Sequence, residues 1–446
     1  MASTYLKRTN GTPTNDKIGT ISVWFKRSKL GSDQRIHMNF ADSNNYGYMK
    51  LHGDNYFHVV GVSSGSESTH VKTTRLFRDT NAWYHLVVAI DTTQATASDR
   101  TKFYINGVQE TSLSQSDYPS QNLAHPLLIA SGSNYHTVGA AENGTVSFDG
   151  SMSHFHKCDG TALAPTVFGS TDSTTGEWKI NTSPSFTVGN TGYTILKDGN
   201  TITDQSTNSN NFTVGGGTLT KTEDCPSNVF ATFNPLFLSL PTGGLSNGNT
   251  TATTAGADST WRSAFGNLGA TSGKYYMEVK WVSGSHFVSG FASQKTLSTH
   301  NFKDLTDVYS GGQYFGIYGT QLYTNGSASG SYTTQASGNI IQLALDMDNK
   351  KIYQGINGTW NVGGNPSSGN GISISGDTDE FWTFGISTYS NSGTGEYHAN
   401  FGNGYFATTA VSSNSGNGYS ATGSLGIFQY QPPTGYTALS TKGLNL

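Results

Sequence analysis

Trp83-Tyr-His-Leu-Val-Val-Ala-Ile-Asp91 and, one loop later, Lys102-Phe-Tyr-Ile-Asn-Gly107 decide the fold of this chain. The first is a near-continuous apolar run of strand length. The second ends on Asn-Gly, the strongest short-range hairpin signal, because a tight hairpin turn asks both central residues for positive φ. Toward the N-terminus, Ile18-Gly-Thr-Ile-Ser-Val-Trp-Phe25 alternates: Thr20, Ser22 and Trp24 fall on one face and Ile21, Val23 and Phe25 on the other. Both faces carry aromatics, as a sandwich strand requires. Toward the C-terminus, Val146-Ser-Phe-Asp-Gly-Ser-Met-Ser-His-Phe-His156 reads as two half-strands around a Gly bend.

Composition agrees with a β-rich reading. Charged residues make up 12% of the 446, with 25 basic and 29 acidic, and Gly reaches 55. Coiled coils need Glu, Lys, Arg, Ala and Leu in heptads, and no sustained a/d pattern occurs. A net charge of -4 gives no basic footprint, so neither nucleic-acid binding nor a polybasic membrane surface is expected. Disorder is excluded by the 12% aromatic content, which can bury enough surface to offset chain entropy. No run of 18 apolar residues occurs, and residues 1–20 are polar without an apolar h-region, so neither membrane insertion nor secretion is expected. The two cysteines, Cys158 and Cys225, read as free thiols of a protein made in a reducing cytoplasm.

Trp83, His85, Tyr104, Asn106, Gly107, Phe148 and Gly150 stand in the order and spacing of a known pattern. Over about 155 residues the chain resembles the laminin-G-like, concanavalin A-like jelly-roll domain. Next come Phe168-Gly, Trp178-Lys, Gly192-Tyr, Asn210-Asn-Phe212 and Asp224-Cys-Pro-Ser-Asn228. That series resembles the connector following such a domain in structural proteins of marine bacteriophages, with Cys225 where a Thr is usual.

A second β pattern opens at Ser272-Gly-Lys-Tyr-Tyr-Met-Glu-Val-Lys-Trp281, where Tyr275, Met277, Val279 and Trp281 share a face. Gly273, Tyr275, Glu278, Gly316, Asp346, Asn357 and Gly358 carry a resemblance to the SPRY sandwich over about 150 residues. Phe428-Gln-Tyr-Gln-Pro-Pro-Thr-Gly-Tyr436 resembles the C-terminal box of the same phage proteins, and its prolines predict an extended strap. The expected class is therefore all-β, with two β-sandwich (jelly-roll) domains joined by a turn-rich β connector. The boundaries are a laminin-G-like domain at 1–158, a connector at 159–250, a SPRY-like sandwich at 251–422 and a strap at 423–446.

Glycoside hydrolysis needs two carboxylates flanking the bond, usually supplied by alternate residues of one strand. No Glu-x-Asp-x-Glu string occurs among the eight Glu residues. Asp346/Asp348 and Asp377/Asp379/Glu380 lie close in sequence but read as solvated turns. Catalytic residues are therefore not expected, nor is a cofactor. Gly269-Ala-Thr-Ser-Gly273-Lys274 lacks the spacing and the Ser/Thr of a phosphate loop. His154, His156 and Cys158 at i, i+2 and i+4 would face one side of a strand, but one strand supplies no coordination sphere. No metal site is expected from them, His154 and His156 being the nearest to candidates. Aromatic rings near turns suit sugar C-H faces, while Asn and Gln read hydroxyls. The candidate ligand-binding residues are Tyr318 and Tyr323 around Gly319, Trp360 after Asn357-Gly358, and Tyr389 in the loop 387–393.

Taken together, the resemblances imply a bacteriophage virion surface protein of the tail-fibre or head-fibre type, made in the host cytoplasm. Its expected partners are other virion proteins, host-surface polysaccharide and further copies of itself, trimeric by analogy with phage fibres. An architectural decorating protein and a polysaccharide depolymerase are the alternatives.

Overall fold

A computed structural model describes residues 3–129, 135–197, 201–238, 244–254, 260–299, 304–307, 312–390, 394–412, 419–420 and 425–445. The chain divides into two compact units, Met1–Lys221 and Thr222–Leu446. Each is a sandwich of antiparallel sheets. Among the described residues no helix is long and apolar enough to cross a membrane.

In the first unit an eight-stranded sheet faces a six-stranded one. The six-stranded sheet is built on the strands read from sequence: Ile18–Arg27 pairs with Tyr84–Asp91, which pairs with Thr101–Ile105. Ile21, Val23 and Phe25 enter the core with Leu86, Val88, Ile90 and Phe103, as alternation requires. Asn106 and Gly107 both take positive φ, 48° and 81°, the geometry the Asn-Gly turn predicts. Residues 146–156 differ from expectation. A single strand, Gly150–Asp159, carries a bulge between Ser153 and His156, with His154 at φ 48°.

Residues 159–250 do not stand apart as a connector. Tyr193–Ile195 pairs with Gly150–Asp159, and Thr213–Gly216 pairs with Tyr5–Thr9, so residues 159–221 complete the first sandwich. Their turn-rich composition reads as a linker, but Tyr193, Ile195 and Phe212 are buried core residues. Residues 222–250 belong to the second sandwich, where Phe233–Leu238 and Gly244–Ser246 each edge a sheet.

Trp24, turned away from the core, stacks on His85 with ring centroids 4.7 Å apart, and Trp178 lies nearly parallel to the His85 ring at its Nδ1 edge, with centroids 5.9 Å apart. The Trp178 indole N–H donates to His85 Nδ1 at 3.0 Å, which leaves the imidazole proton on Nε2 to face Ser22 Oγ at 2.9 Å. Gly107 makes room for this ladder, since a Cβ there would lie 2.4 Å from the Trp178 ring. Trp178→Ala removes an aromatic contact and leaves buried His85 without its donor. We expect a loss of about 3 kcal/mol, read as a shift of the first unit's denaturant midpoint.

In the second unit a seven-stranded sheet packs on a nine-stranded one. Phe287, Phe291, Phe315, Trp382 and Phe384 from the former meet Tyr275, Met277, Val279, Ile341 and Leu343 from the latter. The C-terminal segment lies over the outer face of the nine-stranded sheet: Phe428, Tyr436 and Ala438 pack with Phe230, Tyr276 and Tyr353. Thr437–Ala438 also adds a short parallel pairing to Tyr275 and Tyr276. The strap is extended only in short pieces, Ile427–Phe428 and Thr437–Ala438, separated by a turn in which Tyr436 N–H donates to the Pro433 carbonyl at 3.0 Å, and it ends in a 3-10 turn at Gly443–Asn445; its residues 423, 424 and 446 lie outside the described residues.

Candidate functional site: an aromatic row on the second sandwich

Alternation along His286–Ser293 sends Phe287 and Phe291 into the core and His286 and Val288 to the outer face of the seven-stranded sheet. Register then lines up three rings. Trp261 lies opposite Tyr389, and Tyr389 lies opposite His286, across three adjacent strands. Ring centroids are 5.3 Å apart for Trp261 and Tyr389 and 5.4 Å for His286 and Tyr389. From the next strand Tyr318 closes the group, 5.5 Å from Trp261 and 5.9 Å from His286. All four side chains are half-buried, so each presents part of its surface to solvent.

The row is rigidly supported. Phe265, Val288, Ala292, Leu305 and Tyr314 form a small second core on the same outer face, with Trp261 and Tyr318 at its rim. Gly316 allows the Leu305 segment onto the sheet, because a Cβ there would sit 2.2 Å from the Leu305 carbonyl oxygen. Leu305 N–H donates to Ser387 Oγ at 3.1 Å, which pins that segment.

The Tyr318 hydroxyl lies 2.6 Å from His286 Nδ1. Burial, then the neighbouring Tyr323 and Asp304, raises the Tyr318 phenol above its ordinary value, so it stays neutral. Tyr323, on the adjacent strand, donates to Gln321 Oε1 at 3.4 Å. A cleft of about 280 Å³ on the same unit is lined by Asn234, Asn267, Gln294, Leu268, Leu297 and Phe381, and Leu297 also packs on the second core. That cleft lies at the other end of the same strands, by Gly266 and Thr383, so the amide beside the rings is Gln321, opposite Tyr318. Stacking rings with a neighbouring amide are groups that recognise an uncharged, hydroxyl-rich ligand.

Tyr318, Tyr323 and Tyr389, all singled out from sequence, belong to the outer face of this one sheet. Tyr389 lies within the strand Trp382–Ser390, not in a loop, and residues 391–393 of the expected loop lie outside the described residues. Trp360 does not join them. It packs against Tyr276 and Tyr353 in the cluster beneath the C-terminal strap, on the other sheet. Trp261 and His286 went unread, because their signal is strand register and no local motif carries it.

Asp346, Asp348 and Asp377 are engaged by hydrogen bonds, and Asp346, at the end of the strand Ile340–Asp346, is buried and not solvated as its sequence suggested. Asp346 accepts from Asn349 N–H and Nδ2 at 2.9 Å and meets Lys274 Nζ at 3.1 Å, and Asp348 accepts from Gly273 N–H at 2.7 Å. Asp377 accepts from Ser293 Oγ at 2.8 Å and from Gln313 N–H. In the first unit His154, His156 and Cys158 are all buried. His156 Nδ1 meets Thr194 Oγ1 at 2.9 Å, and the Cys158 thiol faces the Thr187 carbonyl at 3.0 Å. Cys158 and Cys225 are free thiols.

Residues 2–167 match the family model of the concanavalin A-like lectin/glucanases superfamily. The first unit therefore has the concanavalin A-like jelly-roll fold. No curated protein matches the chain. Among solved structures, the SPRY domain of human HERC1 is 19% identical, covering 37% of this chain and 96% of that one, with a TM-score of 0.29. The heptameric SAP-like pentraxin of Limulus polyphemus is 14% identical over 36% of this chain and 71% of its own, with a TM-score of 0.27. Domain 4 of AbnA, a GH43 extracellular arabinanase from Geobacillus stearothermophilus in complex with arabinotriose, is 18% identical over 35% and 65%, with a TM-score of 0.25.

Proposed function

We propose that this chain is a carbohydrate-binding, non-enzymatic structural protein of a bacteriophage surface, a fibre or adhesin. Its sugar seat is the outer face of the second sandwich. The observation that carries the reading is the row Trp261, Tyr389, His286 and Tyr318, four rings of adjacent strands held half-open on a rigid floor. Sugar C-H faces stack on such rings, and low net charge suits a neutral polysaccharide. The engagement of Asp346, Asp348 and Asp377 in structural hydrogen bonds supports binding without hydrolysis. The phage setting rests on the sequence resemblances of the connector and the strap. Homo-oligomerisation, as a trimer, and contacts to other virion proteins belong to the same proposal.

Screening the intact chain on a microarray of bacterial surface glycans tests it. Retention of one or more neutral polysaccharides without release of reducing ends is expected. Silence across host polysaccharides would favour the architectural reading, and product release would favour a depolymerase.

A further inference from the structure

The outer face of the first unit's eight-stranded sheet carries a group that the proposed glycan seat does not use. His52 and Asp54 sit on the turn between Asn45–Leu51 and Tyr56–Ser63, His58 lies on the latter strand, and His70 lies on Ser66–Leu76 beside it. One donor atom from each of His52, Asp54 and His58 falls within 4.8 Å of the other two. The rings of His52 and His58 stack at 5.1 Å.

Behind His58 runs a hydrogen-bond chain that fixes its tautomer. His70 Nδ1 lies 3.0 Å from Glu67 Oε1, so a neutral His70 carries its proton on Nδ1 and offers a lone pair at Nε2. That lone pair lies 3.0 Å from His58 Nδ1, which must then be the donor. His58 Nε2 is left unprotonated, and it is buried with no hydrogen-bond partner in a side chain only 5% exposed. His37 and His125 also have an Nε2 without a partner, but only His58 has donor atoms of His52 and Asp54 within 4.8 Å, and the histidine–carboxylate relay that orients it is the arrangement found behind metal-ligating imidazoles.

We propose that His52, Asp54 and His58 bind a divalent transition-metal ion of the zinc class, with His70 and Glu67 as positioning residues behind His58. Two imidazoles and one carboxylate suit zinc and its neighbours, whereas calcium and magnesium take oxygen donors. A tetrahedral shell with bonds of about 2.0–2.1 Å needs the three donors closer than they stand. Half-buried His52 and exposed Asp54 are on a turn, where side-chain rotation can close the gap. Lys72 holds Asp54 Oδ2 at 3.3 Å, which leaves Oδ1, now 2.6 Å from His52 Nδ1, for the ion to bridge. Asp33, 3.6 Å from His52 Nε2, is a further carboxylate within reach. With three protein ligands the fourth position is left to water.

Titrating metal-stripped full-length protein with zinc, cobalt(II) and calcium tests the site. One zinc per chain is expected, with cobalt giving the visible absorption of a tetrahedral nitrogen–oxygen site and calcium giving no binding. His58→Gln and His52→Gln should abolish zinc binding, and Glu67→Gln should weaken it about ten- to a hundredfold at unchanged stoichiometry. Should His58→Gln fail to fold, His52→Gln and Asp54→Asn decide the matter, since both change turn residues. Absence of zinc binding, or equal binding by His52→Gln and Asp54→Asn, would overturn the proposal.

Discussion

Taking the full chain from pH 7 to pH 5 should unfold the first unit while the second stays folded. His37, His85, His125, His136 and His156 of the first unit are at most 2% exposed. Burial is the first cause in every case, and it presses His37, His85 and His125 down to about 3 and His136 and His156 well below their ordinary 6.5. In the native state these rings stay neutral, whereas in the unfolded chain each takes up a proton below 6.5. The histidines' contribution is therefore intact above 6.5 and is lost as the pH falls toward the depressed folded values. At pH 5 each such ring costs about 2 kcal/mol, so five together cost about 10 kcal/mol, comparable with the whole stability of a domain. Among the described residues the second unit has no buried histidine; His286 and His398 are half-buried. Calorimetry across this range should show one transition falling steeply with acid, and limited proteolysis should place it in Met1–Lys221. A first unit still folded at pH 4 would contradict the burial of these rings.

Glu278→Ala should detach the C-terminal strap and destabilise the second unit by about 3 kcal/mol or more. This carboxylate is fully buried and holds the strap from below. Gln429 N–H and Tyr430 N–H each donate to it at 2.8 Å, Tyr276 Oη at 2.9 Å and Asn400 Nδ2 at 3.3 Å. Alanine leaves those donors buried without an acceptor and opens a cavity beneath Phe428. Hydrogen exchange at residues 427–430 should rise before the sandwich itself unfolds. Burial outweighs the hydrogen bonds and pushes Glu278 up to about 7 from its ordinary 4.5. Its contribution is then greatest below 4.5 and declines as the pH rises through 7, the opposite sense to the histidines of the first unit. The stability difference between wild type and Glu278→Gln should fall by about 3 kcal/mol across that window. A flat difference would show the carboxylate to be ionised throughout.

Hairpins were legible because their chemistry is local. Asn106-Gly107 and Asn357-Gly358 take the positive φ pairs 48° and 81°, and 49° and 87°, that their residue types admit at low cost. Core and outer faces followed from alternation at Ile21, Val23 and Phe25 and again at Tyr275, Met277 and Val279. What could not be read locally was pairing at a distance. Trp261 meets Tyr389 through strand register across more than a hundred residues, and the sequence around Trp261 carries no turn signal to mark it. Trp360 looked like an exposed turn aromatic because the strap packing around it lies far along the chain. The stretch 159–250 read as a connector because Gly, Asn and Thr dominate it, yet Tyr193 and Phe212, few but large, tie its first part into a core.

The most direct test of the central claim is a binding titration of the intact protein with an oligosaccharide of the polysaccharide it retains, alongside Trp261→Ala, Tyr389→Ala and Trp360→Ala. Trp261→Ala and Tyr389→Ala should each weaken binding about tenfold or more, while Trp360→Ala, packed under the strap on the other sheet, should leave affinity unchanged. Undiminished affinity in folded Trp261→Ala and Tyr389→Ala would contradict the account.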